Sequence, residues 1–403
     1  MQPAAAVAFG RAGRATARNR QPHRMTPHTN TPAARPTLQR HVLVRYFTRE
    51  LLSRIAMCAG ILVSLMEILA LLEQTTPILE RHLGVQGILT YALLRMPLLL
   101  GTALPLSTLV GALLLLTHMT LTSEIAILRS AGLATHTLMA LMLPATVGAG
   151  LFGMVVADQV TPRSELALAQ WWNRSTPVAD ETASDSFWFR DGTTLVSVGA
   201  VEKAGLAARD VDLYRRTPDG HLNTVVHARG ASFRDGHWTL LHARTVELTP
   251  THAADSTMDQ DTDIPLPDLP WPTRLTPAQL VRLSLDTAPL SATTMLASLH
   301  GRIPASEPPS TYRTSLLERL CLPLFFVVML SLALPVVYIP PRTGTRSLIP
   351  VYCLGAGLLF VLFQGVLRAL GNAGTLPALL AIGPGIAIFA LGIGTVLIRM
   401  EDR

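Results

Sequence analysis

The 403-residue chain holds a single lysine, Lys203. A phosphate-cradling ATPase loop of the form Gly-x-x-x-x-Gly-Lys-Ser/Thr needs that residue, and here it sits in Val201-Glu202-Lys203-Ala204, so the chain carries no such loop. Metal-protease and nucleophile-elbow signatures are missing too, for neither His-Glu-x-x-His nor Gly-x-Ser-x-Gly occurs. His221, His227, His237 and His242 lack ligand spacing and read as surface residues. Asp259-Gln260-Asp261-Thr262-Asp263 opens like a calcium loop, but Ile264 replaces the turn glycine and Pro270 the closing carboxylate, which leaves a solvated acidic linker. The only cysteines, Cys58, Cys321 and Cys353, lie in apolar stretches and suit packing better than disulfide or redox work. Charge is scarce at 15% against 49% apolar residues, a balance that disfavours one soluble core of this length. Neither a metal nor a cofactor is expected.

What is present are six apolar stretches: Leu52–Leu72, Pro97–Thr117, Thr137–Ala157, Leu316–Ile339, Leu348–Leu370 and Leu376–Ile398. Each is near the ~20 residues that a helix needs to cross ~30 Å of hydrocarbon. Three precede and three follow a polar island from Asp158 to Tyr312. Arg11, Arg14, Arg18, Arg20, Arg24, Arg35, Arg40, Arg45 and Arg49 crowd ahead of the first stretch, which places the N-terminus in the cytoplasm by the positive-inside rule. Alternation then sets Arg129, Arg342, Arg346, Arg399 and Arg403 inside as well, and the island outside. Arg81 and Arg95 fall on the outer side with Glu73 and Glu80. Residues 1–40 have no apolar h-region, read as a disordered basic tail, and leave Met25 as an alternative start. An arm for nucleic acid or anionic lipid is the other use of such a tail; no nucleic-acid partner is expected.

Within the island, Phe187 to Leu248 alternates with the period of half-buried strands, as in Thr194-Leu195-Val196-Ser197-Val198. Asp191-Gly192, Asp219-Gly220 and Asp235-Gly236 offer the positive φ angles of hairpin turns, so consecutive antiparallel strands follow, closing as a sandwich or open jelly roll. Residues 250–275 form a Pro-rich acidic linker. Thr276-Pro277 and the run from Ser291 to Gly301 then mark two short helices leading back to the bilayer.

The inner loop Thr122-Ser123-Glu124-Ile125-Ala126-Ile127-Leu128-Arg129-Ser130-Ala131-Gly132 has a hydroxyl cap, an acid in its first turn, helical apolar spacing and a terminal glycine. It predicts a short helix over 122–132, lying on lipid headgroups or inserted into a cytoplasmic motor subunit. Glu67, Arg95, Asp158, Glu318, Arg319 and Arg368 lie in or beside the apolar stretches toward the outer face, where ionisable groups are costly. Ion pairing and snorkelling are one reading; a cavity whose guanidinium groups hold phosphates is the other.

Taken in order, Val44-Arg45-Tyr46-Phe47, Ser123-Glu124-Ile125 with Arg129-Ser130-Ala131-Gly132, Phe187-Trp188-Phe189-Arg190-Asp191-Gly192 and Ala333-Leu334-Pro335 resemble the lipopolysaccharide export permeases, the LptF/LptG family. The resemblance covers about Leu43 to Arg399 and leans to the LptG side through the aromatic run and the Pro/Gly-rich sixth stretch. It implies a half-permease with six membrane helices and a periplasmic β-jellyroll, pairing with the other family member, an LptB-type ATPase dimer, an LptC-type bridge protein and lipopolysaccharide. It assigns Ser123, Glu124, Ile125, Leu128, Arg129 and Gly132 to the ATPase interface. Lysines that LptG-type proteins can carry late in the first span are replaced by Glu67-Ile68-Leu69-Ala70-Leu71-Leu72-Glu73, so lipid contacts are expected at Arg95, Arg319, Arg368 and Glu67 instead. Two rivals stay open: a membrane-anchored periplasmic sensor, and a lipid-modifying enzyme using Glu67, Glu318 or Asp158 as acid or base.

Overall fold

The computed structural model describes residues 36–174, 186–202, 205–217, 221–247, 268–284, 290–339 and 347–401. The basic tail before residue 36, most of the acidic linker, Lys203, the Asp219-Gly220 turn, Arg342, Arg346 and Arg403 lie outside them. Among the described residues, six helical spans are long and apolar enough to cross a membrane: His41–Glu80, Gly84–Leu121, Thr135–Trp172, Pro309–Tyr338, Ile349–Asn372 and Ala378–Met400.

The helices overrun the apolar stretches. The first, α1 (Pro36–Glu80), and the second, α2 (Gly84–Leu121), extend well past Leu52–Leu72 and Pro97–Thr117, and α2 runs through Pro97 and Pro105. Neighbouring spans satisfy the groups such prolines free, so a proline at the start of a hydropathy peak does not mark a helix start in a membrane bundle. A seven-residue helix α3 (Glu124–Ser130) precedes α4 (Thr135–Val155), a π-helical segment (Val156–Val160) and α5 (Thr161–Arg174). The third span therefore carries its helix beyond Asp158, where the polar island was expected to begin. Buried hydroxyls in these spans bond back to their own helix, Ser107 to Ala103 O at 2.7 Å and Thr146 to Met142 O at 3.1 Å, which removes the cost of a bare hydroxyl in an apolar setting.

The sheet comprises β1 (Phe187–Asp191), β2 (Thr194–Glu202), β3 (Ala207–Arg216), β4 (Leu222–Arg234), β5 (His237–Glu247) and β6 (Leu269–Trp271). Its order is strictly sequential, and every neighbouring pair is antiparallel. A sandwich or jelly roll needs a second sheet or a non-consecutive neighbour, and among the described residues neither occurs; the module is an open meander. The Asp235-Gly236 turn behaves as expected, with φ of 51° and 81°. At Asp191-Gly192 the register pairs Asp191 with Thr194, so the turn centres on Gly192-Thr193 and only the glycine is left-handed. One face of the meander buries Phe189, Val196, Val211, Leu213, Ala228 and Trp238. Helix α6 (Pro277–Leu283) closes over it through Leu280, and the Trp238 indole N–H donates to Leu275 O at 2.7 Å. Thr276 forms the expected cap, with Gln279 completing a reciprocal capping box.

The chain returns through α7 (Ala292–Leu299) into α8 (Pro309–Ala333), a 3₁₀ turn (Leu334–Tyr338), α9 (Ile349–Asn372) and α10 (Ala378–Glu401). A backbone bridge from Arg190 to Ala305 (2.8 and 3.0 Å) ties β1 to the approach to α8. Helix α8 packs against α2, α4, α9 and α10, and Phe326, Met329, Leu330 and Ala333 have no exposed surface. Contact with α4 is closest at Gly150, where an added Cβ would stand 2.8 Å from Pro323 Cα. Small residues that let backbones approach are how membrane helices gain packing without a hydrophobic driving force between them.

Candidate functional site

The helix expected over 122–132 forms, with a different start. α2 ends with Thr122 N donating to His118 O at 2.9 Å, and Ser123 follows at a φ of 63° with no capping bond from its side chain. The Thr122 hydroxyl takes over locally, reaching Glu124 Oε1 at 3.2 Å. Gly132 ends the segment at a φ of 85°, as expected of a terminal glycine.

Which side of α3 faces where decides what it can do. Ile125 is buried in the chain's own bundle, and Leu128 packs partly against the same core. Arg129 stacks its guanidinium 4.3 Å from the centre of the Tyr338 ring, and Thr135 and Tyr338 share a 2.9 Å hydrogen bond beneath it. Ile125, Leu128 and Arg129, expected at the ATPase interface, thus anchor α3 to α4 and to the 3₁₀ turn after α8. The opposite side presents Ile127, 65% exposed, with Ala126, Ser130 and Ala131. Ile127 went unassigned in the sequence, although its place two residues from Ile125 puts it on the other side of the helix.

The charged residues in and beside the spans fall into two clusters. Arg319 on α8 donates to Asp158 at 2.7 Å and to Leu290 O at 2.6 Å. Asp158 also accepts from Ala292 N at 2.6 Å and from Gln159 Nε2 at 2.8 Å, so this one carboxylate fastens the π segment to α8 and to the start of α7. Arg368 on α9 pairs with Glu318 on α8 at 3.1 Å and stays 52% exposed. Arg95 on α2 donates to the Tyr91 hydroxyl at 2.8 Å. Neither carboxylate oxygen of Glu67 has a hydrogen-bond partner among the described residues, though both are buried. Arg319 and Arg368 thus share one cluster with Asp158 and Glu318, each within electrostatic reach of Arg319, whereas Arg95 lies with Glu67 and Tyr91 in another.

Against this geometry, residues 45–399 match the family described as lipopolysaccharide export system permease LptF/LptG. The chain is similar to the lipopolysaccharide export system permease protein LptG of Escherichia coli (strain K12), 23% identical over 362 residues that span 87% of this chain and 97% of that protein. It is likewise similar to LptG of Haemophilus influenzae (strain ATCC 51907 / DSM 11121 / KW20 / Rd), 23% identical over 372 residues, 90% of this chain and 99% of that one.

Proposed function

Because the chain belongs to the LptF/LptG family of lipopolysaccharide export system permeases, an inner-membrane transporter subunit and not an enzyme, we propose that it is one half of an ATP-driven lipid extractor. In this reading the N-terminus, α3 and the C-terminus face the cytoplasm and the meander hangs in the periplasm, as the clustered N-terminal arginines with Arg129 and Arg399 support. The other half is a second permease of the LptF type, the motor is an LptB-type ATPase dimer bound below, and an LptC-type protein continues the path. The open meander stands for the jelly-roll module; its edge strands offer unpaired backbone groups to the next module of a bridge.

One observation carries the coupling: α3 is held by Ile125 and Arg129 on one side and offers Ile127 on the other, with Glu124 half-exposed in its first turn. Nucleotide-driven closure of a motor gripping those two residues would push on α4 and on the 3₁₀ turn after α8 through Arg129 and Tyr338, and so reshape a lipid cavity between the two permeases. Lipid contact falls first to Arg368, the most exposed of the outer arginines with a known pairing, followed by Arg95 with Glu67; Arg319, held by Asp158, serves to position.

The test is Ile127→Asp and Glu124→Ala in the reconstituted complex. Lipid-stimulated ATPase activity should fall at least about tenfold for Ile127→Asp, the loss expected when an apolar anchor is replaced by a charge. The chain itself should keep its thermal transition. Normal coupled turnover by both variants would remove α3 from the mechanism.

A further inference from the structure

At the outer end of the third span, a cavity of about 260 Å³ opens between the first turn of α5 and the start of α7. Asp158, Gln159, Arg163, Arg282, Ser291, Thr293 and Thr294 line its polar side. Pro162, Leu166 and Leu290 form an apolar floor.

The charge of this cavity is one-sided. The carboxylate of Asp158 is already spent on Arg319, Ala292 N and Gln159, so it neither repels a second anion strongly nor has capacity left for the cavity's cations. Among the described residues Arg163 donates to a neutral partner alone, Gln159 Oε1 at 3.2 Å. No hydrogen bond or ion pair engages Arg282 among the described residues. Two exposed guanidinium groups, brought together from α5 and α6, therefore face one polar hollow with no carboxylate paired to either among the described residues. Beside them the Ser291 hydroxyl lies 3.0 Å from that of Thr293 and 2.8 Å from that of Thr294, a set of rotatable donors that can turn from one another to an incoming oxygen. Planar guanidinium forks with hydroxyls fit a tetrahedral dianion, and the leucine floor fits the carbon skeleton that bears it.

We propose that this cavity is a subsite for a phosphomonoester on the headgroup of an anionic lipid, held by Arg163 and Arg282 and by the hydroxyls of Ser291, Thr293 and Thr294. It lies toward the end of the third span, beside the chain returning from the meander, so a headgroup seated here would leave its acyl chains among the spans. Identifying the lipid as lipopolysaccharide rests on the export reading; the phosphate chemistry does not.

The experiment places a photo-reactive residue at the floor, Leu166→p-benzoylphenylalanine, and a second probe, Ala369→p-benzoylphenylalanine, beside Arg368, in the full chain assembled with its partner permease in nanodiscs. Lipopolysaccharide, the same lipid stripped of its phosphates, and inorganic phosphate as competitor are the probes. Capture at position 166 should fall at least about tenfold for the stripped lipid and for Arg163→Ala/Arg282→Ala, as expected when charge-assisted contacts are lost. Capture at position 369 should be unchanged by that double substitution. Suppression by millimolar inorganic phosphate would support the same chemistry with free phosphate as its occupant; insensitivity to it would assign the lipid headgroup. Equal capture of intact and stripped lipid at position 166 overturns the proposal. Capture at 369 with none at 166 overturns it while the export reading stands, and capture at neither position defeats both.

Discussion

Replacing Asp158 with alanine tests how the bundle is held where the third span meets α7. The substitution removes the 2.7 Å ion pair with Arg319 and the 2.6 Å bond from Ala292 N, and it leaves the guanidinium with Leu290 O as its hydrogen-bond partner among the described residues and Glu318 as the carboxylate within electrostatic reach. The two side chains are only 14% and 19% exposed, so solvent screens the pair weakly. Breaking such a pair from one side costs about 3–5 kcal/mol, and the carbonyl that Arg319 keeps argues for the lower end. About 3 kcal/mol corresponds to opening of α7 more than a hundredfold more often. Hydrogen exchange of amides 292–299, followed in nanodiscs, reads that directly. Asp158→Ala/Arg319→Met should recover at least about 1 kcal/mol of the loss, because no uncompensated charge remains. Unchanged exchange in Asp158→Ala, or a double variant as damaged as the two single ones added together, would refute the clasp.

Two further substitutions probe packing and the unpartnered acid. Gly150→Val drives a branched side chain into the Pro323 backbone, 2.8 Å from where its Cβ must stand, and should cost more than the roughly 1–3 kcal/mol usual for overpacking, because backbone cannot yield as a side chain does; an unaltered thermal transition would contradict the close α4–α8 approach. Glu67→Gln should change stability by no more than about 1 kcal/mol, since neither Glu67 oxygen makes a hydrogen bond, and a larger loss would reveal a partner that binds the carboxylate.

Much of this architecture is legible in the sequence because it follows from local periodicity. Six apolar stretches become six spans, and the alternation from Phe187 onward becomes a sheet with consecutive antiparallel neighbours. The seven residues of α3 and the Thr276 cap likewise fall where their signals put them. What local signals miss is set by distant pairing. Hydropathy singles out Arg319 as a costly charge, yet not that its partner is Asp158, on a helix that precedes the whole sheet. The side of α3 that faces the bundle depends on Tyr338 and the α4 core, far along the chain, so Ile125 and Ile127 look equivalent by composition while one is buried and the other exposed. Arg163 and Arg282 are ordinary surface arginines until folding brings them to one cavity. Meander and jelly roll share the same alternation and the same turn residues, and only strand order tells them apart.

The five π-helical residues at Val156–Val160 have a reach beyond the aspartate they hold. A π turn accommodates one extra residue, so it resets the angular phase of everything downstream. Upstream of it, α4 keys Gly150 onto α8; downstream, α5 offers Leu168 and Trp172 to Ile78 and Tyr91 at the far ends of α1 and α2. Were the same five residues wound as ordinary α-helix, α5 would swing by roughly 100°, carrying those contacts off their neighbours. What counts as one crossing by length is, in azimuth, two rods welded out of step, and the weld chooses which neighbour each rod meets.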